Sequence, residues 1–150
     1  MTRTGARELA VRMVFAQSIN PRDADEALGD ILEPDAFGSL RDEDELFLSK
    51  PKGEERDYLV RVVKGVAEHL AELDGYIERY AVGWQFYRIS RTAAAVMRVA
   101  MFELLYVPEV PKKAAINEAL ELAKNYDTPE TVSFVNGVLG AFEKSEVPNG

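Results

Sequence analysis

Cysteine is absent from the 150 residues, which removes disulfides and thiolate-held zinc from consideration. No run approaches the roughly 18 consecutive apolar residues that a membrane-crossing helix needs. The N-terminal stretch MTRTGARELAVRMVFAQ has neither a separate apolar segment nor a small-residue cleavage site, so it does not read as a secretory signal. Glycine-rich phosphate loops are missing, and so is the alternating pattern of strands. These absences predict a cytoplasmic, all-α chain of one domain with no membrane partner. The one histidine, His69, has Gly65 and Leu73 at four residues to either side, so no ligand pair forms around it and it reads as a boundary or surface residue. No metal, cofactor or catalytic group is expected.

Positive charge is also scarce, and its distribution matters more than its total. The net charge is −8. Residues 1–22 carry Arg3, Arg7, Arg12 and Arg22 against Glu8, a net of +3, whereas residues 23–57 hold 13 acids against 4 bases, a net of −9. The remaining residues, 58–150, are close to neutral at −2. Screening over roughly 8 Å lets a basic patch act independently of the acidic segment. The acidic total therefore does not exclude a polyanion as partner.

What is present is helical periodicity. Ala6, Leu9, Ala10, Met13 and Val14 lie on one face of a first helix that ends near Asn20-Pro21. A short helix is expected around Asp25–Leu32. The acidic stretch at about 33–55 reads as a long loop with one turn near Glu43–Leu48. From Arg56 the positions Leu59, Val62, Val63, Val66, Leu70, Leu73, Ile77 and Tyr80 keep helical spacing, which predicts one long helix. The stretch AVGWQFYRIS is a joint between an N-terminal half, 1–80, and a C-terminal half, 85–146. Ser90 or Thr92 can cap the next helix, which is apolar on nearly every side to Tyr106 and should be central. Ile116, Ala119, Leu120, Ala123 and Tyr126 mark another face, and Asp127 or Thr128 can cap a last helix with Pro129 in its first turn. The architecture expected is about seven helices in two small packed bundles.

Few residues suggest chemistry. Glu118 and Glu121 share a helix face, but Lys124 beside them makes a solvated charged face the plainer reading. Trp84 in the joint reads as a packing anchor rather than a stacking platform. Arg3, Arg7, Val11 and Phe15 stand four apart and form one ridge on the first helix. Two arginines followed by an aromatic could hold a phosphate backbone and stack a base. On spacing alone, solvated arginines with Phe15 in the core is the simpler account. In SFVNGVLG, Asn136-Gly137 interrupts the apolar stripe Phe134, Val135, Val138, Leu139 and Phe142. Helix-interior glycine costs about 1 kcal/mol against alanine, so either the helix ends early, or the N-terminal helix packs on Gly137, or a ligand comes close to it.

The words ARELAVRMVFAQ, VRVVKGVAEHLAELDGYIERY, RVAMFELLYVPEVPKKAA, INEALELAKNY and SFVNGVLG, in that order, resemble the NusB family of transcription antitermination factors. The resemblance covers the chain apart from the acidic stretch near 33–55, which looks like an expansion. It implies an all-helical fold of two bundles. It also implies binding of boxA-type single-stranded RNA together with NusE, a small-subunit ribosomal protein, within the RNA polymerase antitermination complex. Arg3 and Arg7 inherit the RNA-touching role, with Phe15 beside them. Tyr80, Glu130 and Phe134 border the same RNA surface by this resemblance, and Asn136 offers an amide there. Thr4 and Gly5 interrupt the denser arginine run of the family, so RNA binding without NusE should be weak. The alternatives are an RNA-free helical adaptor or a self-associating scaffold, including a homodimer. An enzyme, most plausibly an rRNA methyltransferase carrying such a domain, is not expected, because the 150 residues leave no catalytic domain.

Overall fold

A computed structural model describes residues 1–32, 51–85 and 88–148. Among these, every regular element is a helix, as expected, and none is long and apolar enough to cross a membrane. The expected turn at Glu43–Leu48 lies outside the described residues. The chain divides into two units, Met1–Ala67 and Glu68–Gly150.

The first unit is built from α1 (Arg3–Ile19), α2 (Ala24–Leu32) and α3 (Glu54–Glu68). Thr2 caps α1, its hydroxyl accepting from the Gly5 N–H at 3.0 Å. The helix stops at Asn20, whose φ −137° and ψ 85° lie outside the helical region that the following proline disfavours. The expected apolar face is buried, and Val11, Arg7 and Glu8 are buried with it. The Asp23 carboxylate accepts from the Glu26 N–H at 3.1 Å and so serves the first turn of α2. Gly53, at φ +56°, leads into α3, whose first turn carries Glu54, Glu55 and Asp57 where the helix dipole favours negative charge. The expected loop through 55 therefore ends two residues early. Tyr58, Leu59, Val62, Val63 and Val66 form the buried stripe of α3, and Lys64 reaches Asp25 of α2 at 3.0 Å.

The expected single helix from Arg56 to Tyr80 is two. His69, at φ −107° and ψ 18°, leaves the helical conformation, and α4 begins at Leu70 and runs to Tyr80. Leu70, counted in the stripe by spacing, is 43% exposed, while Leu73 and Ile77 are fully buried. At this break the His69 ring stacks on Tyr106 at 4.4 Å between centroids, with Nδ1 3.5 Å from the Glu72 carboxylate.

The second unit continues with α5 (Arg91–Tyr106), α6 (Lys112–Tyr126) and α7 (Pro129–Glu146). Ser90, not Thr92, caps α5, accepting from the Ala93 N–H at 3.0 Å. Ala93 through Leu104 are buried without interruption, so α5 is the central helix that its all-round apolar pattern predicts. It packs against α4, α6 and α7. Two charged residues lie inside that run, Arg98 and Glu103, and Arg98 donates to Asp74 of α4 at 2.7 Å. Burying a guanidinium is tolerable only with such a partner. On α6 the buried face is Ala115, Ala119, Leu122 and Ala123, which leaves Tyr126 exposed and Ile116 and Leu120 at the edge of the expected stripe. Thr128 caps α7, accepting from the Thr131 N–H at 3.3 Å, and Pro129 occupies the first turn. Val135, Val138, Leu139 and Phe142 face inward.

Candidate nucleic-acid interface

The residues singled out in the sequence fall into separate groups, some in the first unit and some in the second. In the first unit, the Thr2 cap places Arg3 in the opening turn of α1. Its guanidinium lies 4.5 Å from the centroid of the Tyr58 ring on α3, and its Nε donates to Glu55 at 2.7 Å. One turn on, the Arg7 guanidinium stands 5.6 Å from the same ring. The structure departs from the sequence reading at Arg7. It is only 4% exposed, so its cation lies beneath the surface and cannot meet a phosphate directly in this conformation. Placed over a buried ring, it props Tyr58, and with it the platform under Arg3. Phe15 is half-buried rather than in the core. Tyr58 and Glu55 were not singled out in the sequence, because nothing in their local spacing ties them to α1.

In the second unit, Tyr80 closes α4 and its hydroxyl donates to Glu146 Oε2 at the end of α7. Arg79, which is exposed, donates to the same oxygen at 2.8 Å and lies 5.9 Å from the Tyr76 ring centroid. The Tyr80 hydroxyl above all, and Arg79 with it, hold the Glu146 carboxyl below its ordinary range. The Tyr80 ring meets Phe142 edge-on at 6.1 Å, so one edge is packed and its hydroxyl is engaged. Glu146 and Arg79 carried no signal in the sequence, since the pairing spans 67 residues.

Phe134 sits one turn after Glu130 on α7 and packs against Trp84, with ring centroids 4.7 Å apart at 43°. Trp84 is 49% exposed, so the packing anchor expected from the sequence stands half in solvent. Asn136 and Gly137 are both exposed. Among the described residues no packed neighbour stands at Gly137, for a Cβ on it would meet nothing within 4 Å. Gly137 lies on the side of α7 that carries Phe134, but Asn136, two residues from Phe134, is turned roughly 200° away from it. The structure thus brings Phe134 to Trp84 and Tyr80 to Glu146, and separates Asn136 from the aromatic face. Glu121 pairs with Lys124 at 3.1 Å on a solvated face. Among the described residues no group of three or more His, Asp or Glu is placed to hold a metal ion.

What these residues provide is a part-exposed cation on an aromatic platform in one unit, and half-exposed rings on one helix end and turn in the other. Such groups bind polyanions and stack bases, and none is arranged as a nucleophile with its base. The NusB family model matches residues 4–144. The transcription antitermination protein NusB of Acetivibrio thermocellus is 36% identical over 144 residues, covering 96% of this chain and 90% of the relative. The chain belongs to the NusB family. A solved structure of T. maritima NusB superposes with a TM-score of 0.80 at 28% identity, over 99% of this chain and 94% of that one. A chain in the crystal structure of antitermination factors NusB and NusE in complex with dsRNA shares the fold, with a TM-score of 0.76 at 20% identity over 95% and 96% of the two chains.

Proposed function

We propose that this protein is a transcription antitermination factor that binds boxA-type single-stranded RNA together with NusE and so supports ribosomal-RNA transcription. The observation that carries the reading is the match to the family along almost the whole chain, with relatives named as antitermination proteins. NusE and dsRNA accompany the neighbour of this fold in its solved complex, and both partner types are extended here to this chain. The role is one of binding, not catalysis. The whole of 1–150 acts as one functional domain, in the cytoplasm, where it reaches RNA polymerase through the assembled complex.

Within this reading Arg3 meets a phosphate, with Phe15 further along the same helix. Arg7 acts through Tyr58, holding the ring on which Arg3 rests. Tyr80, Glu130 and Phe134 border the RNA, and Asn136 offers its amide from the opposite side of α7. One observation favours the RNA-free adaptor instead: Arg7 is buried and Arg3 is paired with Glu55, which leaves little unopposed cation on α1. Gel filtration of the chain with NusE and boxA RNA separates the two. Co-migration of all three components supports the factor, and a protein pair that leaves the RNA behind supports the adaptor.

A further inference from the structure

The turn after α4 displays an aromatic side chain that the reading so far leaves unused. Gly83, at φ +84°, adopts a conformation that glycine alone takes freely, and the Trp84 N–H closes the turn on the Ala81 carbonyl at 3.0 Å. This geometry lays the indole against Phe134 of α7, at 4.7 Å between centroids. Tryptophan is usually well covered in a folded protein, yet Trp84 is 49% exposed and Val82 beside it 85%. The indole thus touches Phe134 at a tilt of 43°, and about half of the residue is open to solvent.

The helix next to this pair is cleared of side chains. Gly137 is the next residue along α7 on the Phe134 side, it is exposed, and a Cβ there would meet nothing within 4 Å. A helical glycine that makes room for no neighbour among the described residues carries its cost of about 1 kcal/mol without a visible internal return. Gly137 follows Phe134, the residue that Trp84 touches, by three positions on α7. A flat ligand stacked on the indole would have space to extend over the α7 backbone.

We propose that Trp84 is a base-stacking residue: with Phe134 against it and Gly137 open three positions further along α7, it holds one unpaired base of the bound RNA. The inference rests on the function proposed above and adds a residue that the family resemblance did not assign. A base is favoured over a protein side chain because the patch is a half-exposed ring near a bare backbone, not a groove with apolar walls. Stacking needs no particular base, since every base has a π-face. The contact therefore adds affinity rather than sequence choice.

The chain has a single tryptophan, so its emission reports this site alone. The test titrates the full chain with end-labelled boxA RNA at constant NusE, reading label anisotropy and Trp84 emission together against a NusE-only blank. Trp84 emission should change along the same isotherm as the anisotropy. Trp84→Ala should weaken binding roughly 5- to 100-fold with an unchanged salt slope. Trp84→Phe should recover most of the loss, and it keeps the test decisive should the alanine variant melt early. RNA binding with unaltered Trp84 emission, or with wild-type affinity in both variants, overturns the inference and leaves the proposed function standing. Emission that responds to NusE alone assigns the ring to a protein contact and also overturns it. No RNA binding by anisotropy under any condition overturns both.

Discussion

Arg3 and Arg7 share the Tyr58 ring, yet one guanidinium is part-exposed at 4.5 Å from its centroid and the other is buried at 5.6 Å. Two residues of the same type, one helical turn apart, therefore answer to different demands. Arg3→Ala should leave the melting temperature nearly unchanged and reduce the slope of log affinity against log salt by about 0.7, the value for one phosphate on a single strand. Arg7→Ala should instead destabilise the fold by about 2 kcal/mol, as expected for losing a desolvated cation over an aromatic ring. Thermal melts and salt-dependent binding on both variants check the division.

Gly137 offers a test with two opposed readouts. Because an added Cβ meets nothing within 4 Å, Gly137→Ala should raise stability by about 1 kcal/mol through helix propensity alone. RNA affinity should fall at the same time if the RNA comes close to this backbone. A more stable variant with unaltered RNA affinity would remove Gly137 from the interface.

The Tyr106 hydroxyl donates to Glu72 at 2.6 Å, and this bond, ahead of burial, raises its pKa from 10.0 to about 12. The folded state thus favours the neutral phenol more than the unfolded state does. That contribution is complete below pH 10 and is lost as pH rises through about 12. Tyr106→Phe should remove this part of the alkaline loss of stability, and phenolate absorbance should show one tyrosine ionising late.

Glu146 works in the opposite sense. Its carboxyl is held below the ordinary 4.5, first by the Tyr80 hydroxyl and then by Arg79. Its contribution is present above pH 4.5 and is lost as pH falls through the lower folded value. Acid unfolding of Glu146→Gln should therefore be less steep over that range than that of the wild type.

Local signals were legible in the sequence wherever the cause is local. The Thr128 cap, Pro129 in the first turn and the all-round apolar α5 follow from residues within one turn or one helix. The break at His69 was not legible, because the apolar spacing runs on through it while its stacking partner, Tyr106, lies 37 residues ahead. The same holds for the site. Arg3 stands out as a cation near the start of a helix, but its platform Tyr58 and the burial of Arg7 depend on tertiary packing. Trp84 does pack on Phe134, but that the pairing leaves half of it in solvent is something spacing does not encode.

The central claim is that this chain takes RNA as a joint ligand with NusE. Its most direct test is a titration of labelled boxA RNA into the full chain with and without saturating NusE, at two salt concentrations. The account predicts weak, strongly salt-sensitive binding alone and markedly tighter binding with NusE present. NusE bound to the chain with no RNA taken up at either salt would contradict it and leave the RNA-free adaptor.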